Sequence, residues 1–303
     1  MIFSTSRLHP EARRELEGLG LVEVSADAPT LASCVALLTW PSSMDYSLLA
    51  KMPSLRVIQT ISAGVDDVEF AKVPAGVAVY SNAGAYTGPA AEHAWALLLA
   101  AAKGVGEKAR TENYILGGKV LLVLGCGAIG SAVAKVGKAA FGMRTVGVSR
   151  SFMVPEAFDE RRDPDQLERS IPEADAIVNA LPLNRGTRSV LGYRVLSKMK
   201  RAAVLVNVGR AETVDEPAVT RILKERPETR YASDVFWRRE GKEDFSSELW
   251  SLPNFYGTFH TAGGLGADEA LRRAEEAAAL NLRLALTAGK ARNLVDRSDY
   301  VSP

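Results

Sequence analysis

Val120-Leu121-Leu122-Val123-Leu124 runs straight into Gly125-Cys126-Gly127-Ala128-Ile129-Gly130, and this stretch decides the fold. Five consecutive apolar residues suit a strand covered on both faces, as in a parallel sheet. The glycine-rich turn follows at once, and a helix pattern over 131–140 follows the turn. Each glycine has its own reason in a dinucleotide site. The first makes the tight turn, the second admits the pyrophosphate to the backbone, and the third lets helix pack on strand. The phosphates then rest on N–H groups at the helix N-terminus. A turn without any ligand is the plainer alternative, but a strand before it and a helix after it favour dinucleotide binding. Gly125, Gly127, Ala128, Ile129 and Gly130 are therefore expected to hold a cofactor.

The same alternation of short apolar runs and helical patterns extends in both directions. Downstream, strands are expected at 119–124, 144–148, 176–180, 203–208, 230–234 and 255–259. Upstream they are expected at 2–5, 21–24, 34–39, 56–60 and 77–80, with helices at 10–18 and 45–52. This order predicts βαβ units, hence an α/β, doubly wound protein. The length of 303 residues suggests two domains. Two long helices, 89–103 and 270–288, are expected to join them, the second capped by Asp268, and the tail 293–303 to return to the first domain.

Composition narrows the partners. Lys plus Arg number 37 and Asp plus Glu 36, which gives no electrostatic reason to expect nucleic acid or an anionic membrane. No apolar run approaches the roughly 18 residues that would cross a bilayer. Residues 1–10 carry an early proline and no apolar stretch, so no secretory signal is read there. Cys34 and Cys126 make neither a disulfide framework nor a zinc site. A cytoplasmic protein with no metal is the expectation.

Candidate chemistry sits where expected strands end. After the strand at 144–148 comes Ser149-Arg150-Ser151, and the next acid is Glu156. An NAD site usually places Asp or Glu at this strand end to bond the ribose 2′-hydroxyl, whereas an arginine accommodates a 2′-phosphate. The sequence thus favours NADP(H) over NAD(H), with NAD(H) still admissible. Histidines are few: His9, His93 and His260. His9 precedes a proline at a turn, and His93 lies in a helix among alanines. His260 follows the last strand, the side on which open α/β sheets bind ligands, and suits a proton donor. Arg210 also follows a strand, and its guanidinium suits a substrate carboxylate, though a lone loop arginine is more often a surface charge. Asp234 ends a third strand, and Glu240 follows it in a charged loop.

Taken together these motifs resemble the D-isomer-specific 2-hydroxyacid dehydrogenase family over nearly the whole chain. The match includes Leu181-Pro182-Leu183-Asn184, Asn207-Val208-Gly209-Arg210, Asp234-Val235-Phe236, His260-Thr261-Ala262-Gly263 and, upstream, Ser62-Ala63-Gly64-Val65-Asp66. The Ser149-Arg150-Ser151 ending resembles the NADPH-using glyoxylate/hydroxypyruvate reductase branch. The resemblance implies a flavodoxin-like substrate domain (1–92 with 270–303), a Rossmann cofactor domain (93–269) and a cleft between them. It implies a small 2-oxo acid or D-2-hydroxy acid as substrate, and a homodimer. Arg210 would bind the substrate carboxylate and polarise the 2-oxo group, and His260 would protonate the oxygen. Ala63 and Gly64 would donate backbone N–H bonds. Leu181, Pro182, Val208, Asp234 and Gly263 would join the cofactor site. The family glutamate normally lies five residues after the aspartate and before a proline. Here Arg239 holds that position, so an inserted residue is taken to make Glu240 the partner of His260. The segment 104–118 is shorter than the family's and lacks its tryptophan. A non-catalytic dinucleotide-sensing module of the same fold is the alternative, and the set Arg210, Glu240 and His260 argues against it.

Overall fold

Both main sheets are parallel throughout in the computed structural model of the chain, which describes residues 1–107, 110–264 and 266–301. The chain forms two units, Met1–Tyr86 with Gly266–Pro303, and Thr87–Leu265. The boundaries thus fall at 86/87 and 265/266, where the sequence suggested 92/93 and 269/270. The shift has a simple cause. The helix that opens the second unit begins at Thr87 and already packs Ala91 into that unit's core, ahead of Ala94, Trp95 and Leu98.

The first unit starts with β1 (Ile2–Ser4), α1 (Pro10–Glu15), β2 (Leu21–Glu23), α2 (Ala28–Ser33), β3 (Ala36–Thr39), α3 (Tyr46–Leu49), β4 (Val57–Thr60) and β5 (Ala78–Tyr80). The strand order β2-β1-β3-β4-β5 is the flavodoxin-like one. Every residue of β3 and β4 is buried, including the polar Thr39, Gln59 and Thr60. Helix α2, not expected from the sequence, is short and capped by Asp27, whose side chain accepts from Thr30 N.

The second unit runs α4 (Thr87–Lys103), β6 (Val120–Leu124), α5 (Ala128–Phe141), β7 (Arg144–Val148), β8 (Glu160–Arg162), α6 (Leu167–Ser170), β9 (Ala176–Asn179), α7 (Tyr193–Leu196), β10 (Val204–Asn207), α8 (Glu216–Glu225), β11 (Arg230–Ser233), β12 (Arg238–Arg239), β13 (Lys242–Glu243) and β14 (Phe255–Gly257). Its seven-stranded order, β14-β11-β10-β9-β6-β7-β8, is the dinucleotide-fold order with one more strand at an edge. Successive side chains of a strand face opposite ways. Leu121 and Val123 accordingly join Leu98 and Val133 on one face, while Leu122 and Leu124 join Leu196 and Ile222 on the other. The segment after α4 is fastened by Tyr114. Its N–H bonds Ala102 O at 2.8 Å, its hydroxyl bonds Glu228 O, and Arg230 lies 4.1 Å over its ring. Residues 108 and 109 of that segment lie outside the described residues.

The chain returns to the first unit through α9 (Asp268–Thr287). Asp268 is not the cap expected of it. Ala267 holds that position, and Asp268 lies in the first helical turn. In the tail, Val295 N bonds Val79 O, Arg297 bonds the carbonyls of Phe70, Val73 and Pro74, and Tyr300 stacks on Phe70. Among the described residues, no helix is long and apolar enough to cross a membrane.

His9 is tied down more firmly than a turn residue would be. Its N–H and its Nδ1 both meet Oε2 of buried Glu275, at 2.7 and 2.8 Å, and its Nε2 meets Asp268 Oδ1 at 3.1 Å. The bond to Glu275, and then that to Asp268, raises His9 above the usual histidine range. A raised value in the folded state gives stability that is fully present below about pH 6.5, where a free histidine titrates, and is lost as pH climbs through the folded value. We therefore expect His9→Gln to lower the melting temperature of the first unit most near pH 6, about half a unit below that point, and progressively less in alkali. Melting curves of both proteins across that range are the check. A deficit that does not vary with pH would remove the ionic contribution.

Candidate active site

The carboxyl ends of the second unit's strands carry nearly all the expected site residues. The turn after β6 shows what each glycine is for. Gly125 has φ +86°, and a Cβ there would stand 2.8 Å from Ala180 O. A Cβ on Gly130 would collide with the Gly125 carbonyl and with Val123. Gly127 differs: it caps α5 with φ −74°, and a Cβ would meet no protein atom within 4 Å. Nothing in the fold demands glycine at 127, so the open space in front of the helix is what the residue preserves. The first-turn N–H groups of α5, including those of Ala128 and Ile129, have no helical acceptor and face that space. A pyrophosphate suits this cradle by charge.

At the end of β7, Ser149 N bonds Arg162 O on β8 at 3.1 Å, and Ser151 N meets Ser149 Oγ at 3.4 Å. Arg150 and Ser151 are exposed, as a group that recognises a ribose substituent must be. Met153 N bonds Cys126 O at 3.0 Å, which couples this segment to the glycine turn. Burial pushes the Cys126 thiol up to about 12, so it serves as a small apolar filler.

A buried polar network fixes the ends of β9 and β10. Asn179 Nδ2 donates to Asn207 Oδ1 at 3.0 Å and to Thr213 Oγ1 at 2.7 Å, while its Oδ1 accepts from Leu181 N at 3.3 Å. Asn207 Oδ1 accepts from Gly209 N at 3.1 Å, and its Nδ2 donates to Arg210 O at 3.2 Å. Thr213 gives that same carbonyl two more bonds, from Oγ1 at 2.7 Å and from its N–H at 3.2 Å. Gly209 has to be glycine, because a Cβ would stand 2.9 Å from Leu181 N. Leu181, Pro182 and Val208 are thereby held at one edge, with the Arg210 main chain anchored beside them. The Arg210 guanidinium is half-buried, and its Nη1 donates to Gly209 O at 2.9 Å.

The end of β11 carries Asp234, only 1% exposed. Its carboxylate accepts from Thr258 Oγ1, Thr261 N and Ala262 N at 2.6, 2.8 and 2.9 Å, and its carbonyl accepts from His260 N at 2.7 Å. His260 sits between these anchors with φ +52°, in the left-handed region. Half-buried Gly263 continues the same loop.

Glu240 does not reach His260. Residues 238–243 fold into a two-stranded ribbon whose turn is Glu240-Gly241, with φ +52° and +78°. Two positive values in a two-residue hairpin loop make a type I′ turn, which points Glu240 into solvent. Glu243 takes the place expected of Glu240: its Oε2 meets His260 Nδ1 at 2.5 Å, and its Oε1 accepts from Phe236 N at 3.0 Å. The ribbon is clamped outside that contact, by Arg238 on Glu212 and by Arg239 on Glu216 and Asp244. The sequence reading allowed one inserted residue where the chain forms a hairpin. A Glu-Gly pair between two short charged runs is the signal that could have shown it.

In the first unit, Ala63 and Gly64 lie in the loop after β4. That loop is shaped by Thr60 Oγ1 donating to Ser62 O and Ser62 Oγ donating to Gly64 O, both at 2.8 Å.

Comparison with known proteins agrees with this geometry. Residues 89–262 match the family described as D-isomer specific 2-hydroxyacid dehydrogenase, NAD binding domain. The chain belongs to that family. A glyoxylate reductase from Aeropyrum pernix is 38% identical over 213 aligned positions, covering 64% of this chain and 63% of that one. One from Thermococcus gammatolerans is 32% identical over 261, covering 80% and 75%. The crystal structure of a Pyrobaculum aerophilum protein, provisionally described as a formate dehydrogenase, superposes with a TM-score of 0.85 at 37% identity and covers 99% of both chains. The protein is thus an NAD(P)-dependent oxidoreductase acting on 2-oxo and 2-hydroxy acids.

Two of the turn glycines should separate experimentally. Gly127→Ala should leave the melting temperature unchanged and weaken dinucleotide binding, since only the ligand space is filled. Gly130→Ala should destabilise the fold itself, because the added methyl overlaps backbone. Thermal melts paired with cofactor fluorescence titrations measure both. Unimpaired binding by Gly127→Ala would place the phosphates elsewhere.

Proposed function

We propose that this protein reduces a small 2-oxo acid to its D-2-hydroxy acid, with NADP(H) preferred and NAD(H) accepted. The contact between His260 Nδ1 and Glu243 Oε2 carries this reading. A carboxylate on Nδ1 fixes a proton there and leaves Nε2 as the nitrogen that can serve the substrate. In its charged form His260 holds a second proton, on Nε2. When bound, a reduced nicotinamide supplies hydride to C2 of the oxo acid. His260 Nε2 then delivers the proton to the carbonyl oxygen and is left neutral. Arg210, its main chain fixed by Asn207 and Thr213, holds the planar carboxylate with its fork and polarises the carbonyl. Ala63 and Gly64 are assigned to the same carboxylate through their N–H groups. Leu181, Pro182, Val208, Asp234 and Gly263 are assigned to the cofactor. A cytoplasmic homodimer is part of the proposal and rests on the family resemblance.

Arg150 and its flanking serines support the cofactor preference, through charge-assisted bonds to a phosphate. NADPH should exceed NADH in kcat/KM, and Arg150→Asp should reverse that order by repelling the phosphate and accepting the ribose hydroxyl. Equal use of the two cofactors by the unmodified protein would remove the preference.

The two glutamates give a sharper contrast. His260→Gln should lower kcat for reduction by roughly 10²–10⁴, the usual cost of losing a general acid. Glu243→Gln should also lower kcat, by a smaller factor, while Glu240→Gln leaves it unchanged. Steady-state assays with a panel of 2-oxo acids compare the three. A loss confined to Glu240→Gln would show that the ribbon register differs in the working enzyme.

A further inference from the structure

We infer that His93, on α4, is a positioning residue for His260, acting through Thr258 and Asp234. The inference rests on the proposed function and deepens it. His93 Nε2 lies 2.8 Å from Thr258 Oγ1, and Thr258 Oγ1 lies 2.6 Å from Asp234 Oδ1. A hydroxyl has one proton to give. That proton goes to Asp234 Oδ1, so the threonine oxygen accepts from His93. His93 must therefore carry its proton on Nε2. That nitrogen also stands 3.4 Å from Asp234 Oδ1, which places it beside the buried carboxylate.

Asp234 is the point from which the His260 loop hangs. Its two oxygens hold the N–H groups of Thr261 and Ala262, and its carbonyl holds the N–H of His260 itself. His260 has a positive φ, a conformation a non-glycine residue keeps only when its surroundings impose it. The chain of donors from α4 to Thr258 to Asp234 is part of that imposition. It acts on the loop's backbone, whereas Glu243 holds the imidazole ring. The helix explains why a histidine is used. Neighbouring Ala94, Trp95 and Leu98 are buried, so His93 is the polar group on that turn that can reach the strand end. An apolar residue would leave the threonine oxygen without its donor. The consequence would fall on geometry, where a small displacement of a reacting group costs one to two orders of magnitude in rate.

The test uses His93→Leu, which removes the donor, His93→Gln, which restores one without an imidazole, and Thr258→Val, which breaks the chain one step later. Two readouts are taken on the intact protein. One is steady-state reduction of 2-oxo acids with NADPH, with NADPH affinity measured separately by fluorescence. The other is hydrogen exchange at the amides of His260, Thr261 and Ala262, which needs no substrate. His93→Leu and Thr258→Val should each lower kcat by about ten- to a hundred-fold, leave NADPH affinity unchanged, and speed exchange at those three amides. The double variant should be no worse than either single one. His93→Gln should recover both kcat and protection. Normal turnover and unchanged exchange in His93→Leu would overturn the inference, and so would a His93→Gln as impaired as His93→Leu, which would indicate packing alone. If the unmodified protein reduces no 2-oxo acid, the functional reading fails by itself, and the amide exchange still decides the role of His93.

Discussion

A carboxyl group shut away from water must have its lone pairs hydrogen-bonded, because a buried polar atom without a partner is costly. Asp234 meets this requirement by gathering the loop after β14 around itself. Much of the second unit depends on that arrangement. The loop's backbone has no sheet partner at this point, so the carboxylate takes the place that a neighbouring strand would otherwise fill. The left-handed turn at His260 is the geometric consequence, because three successive residues cannot all present an N–H to one aspartate from an extended backbone. An Asn there would keep the shape but offer only one good acceptor, and the N–H groups of Thr261 and Ala262 would compete for it.

The same logic explains the neutral network next to it. Arg210 is held at both ends: three donors from Asn207 and Thr213 converge on its carbonyl, and its Nη1 donates to Gly209 O. The backbone from which the guanidinium projects is thereby fixed. Tyr231 completes the buried set, bonded to Ser233 and Asn207, and burial pushes its phenol up to about 12, so it stays a neutral donor throughout the physiological range. Removing one member of such a network leaves the others unsatisfied, at roughly 1–3 kcal/mol for each group stranded.

The fold could be read from the sequence wherever burial dictated composition. Strands β3, β6, β9 and β10 lie inside their sheets, and each appears as an apolar run closed by at most one polar residue, whereas β4, β7 and β11 carry Gln59, Arg144 and Arg230 and are legible mainly by their place in the alternation. Strand β8 escaped because it is an edge strand made of Glu160, Arg161 and Arg162, whose charges protect an open edge and carry no apolar signal. The ribbon escaped for a related reason. Four charged residues around Glu240-Gly241 look like a solvated loop, and their pairing comes from turn geometry and from ion pairs to distant Glu212 and Glu216. The sequence could therefore indicate that an acid belongs beside His260, but not which one. Spacing counts residues, whereas a hairpin cancels most of the residues it contains.

That distinction bears on how family patterns carry over to a single chain. A fixed offset between aspartate and glutamate is a proxy for a distance in space, and it holds only while the intervening backbone keeps one shape. In this chain the offset is nine residues, from Asp234 to Glu243, yet the carboxylate arrives at the imidazole nitrogen at 2.5 Å. The hairpin takes up the extra length by running out and back, so Phe236 N and His260 Nδ1 can share one side chain. The same glutamate then couples the exit of β11 to the loop after β14. What the physics constrains is the junction of the two strand ends, and the connection between them is free to lengthen as long as an acid returns to that junction.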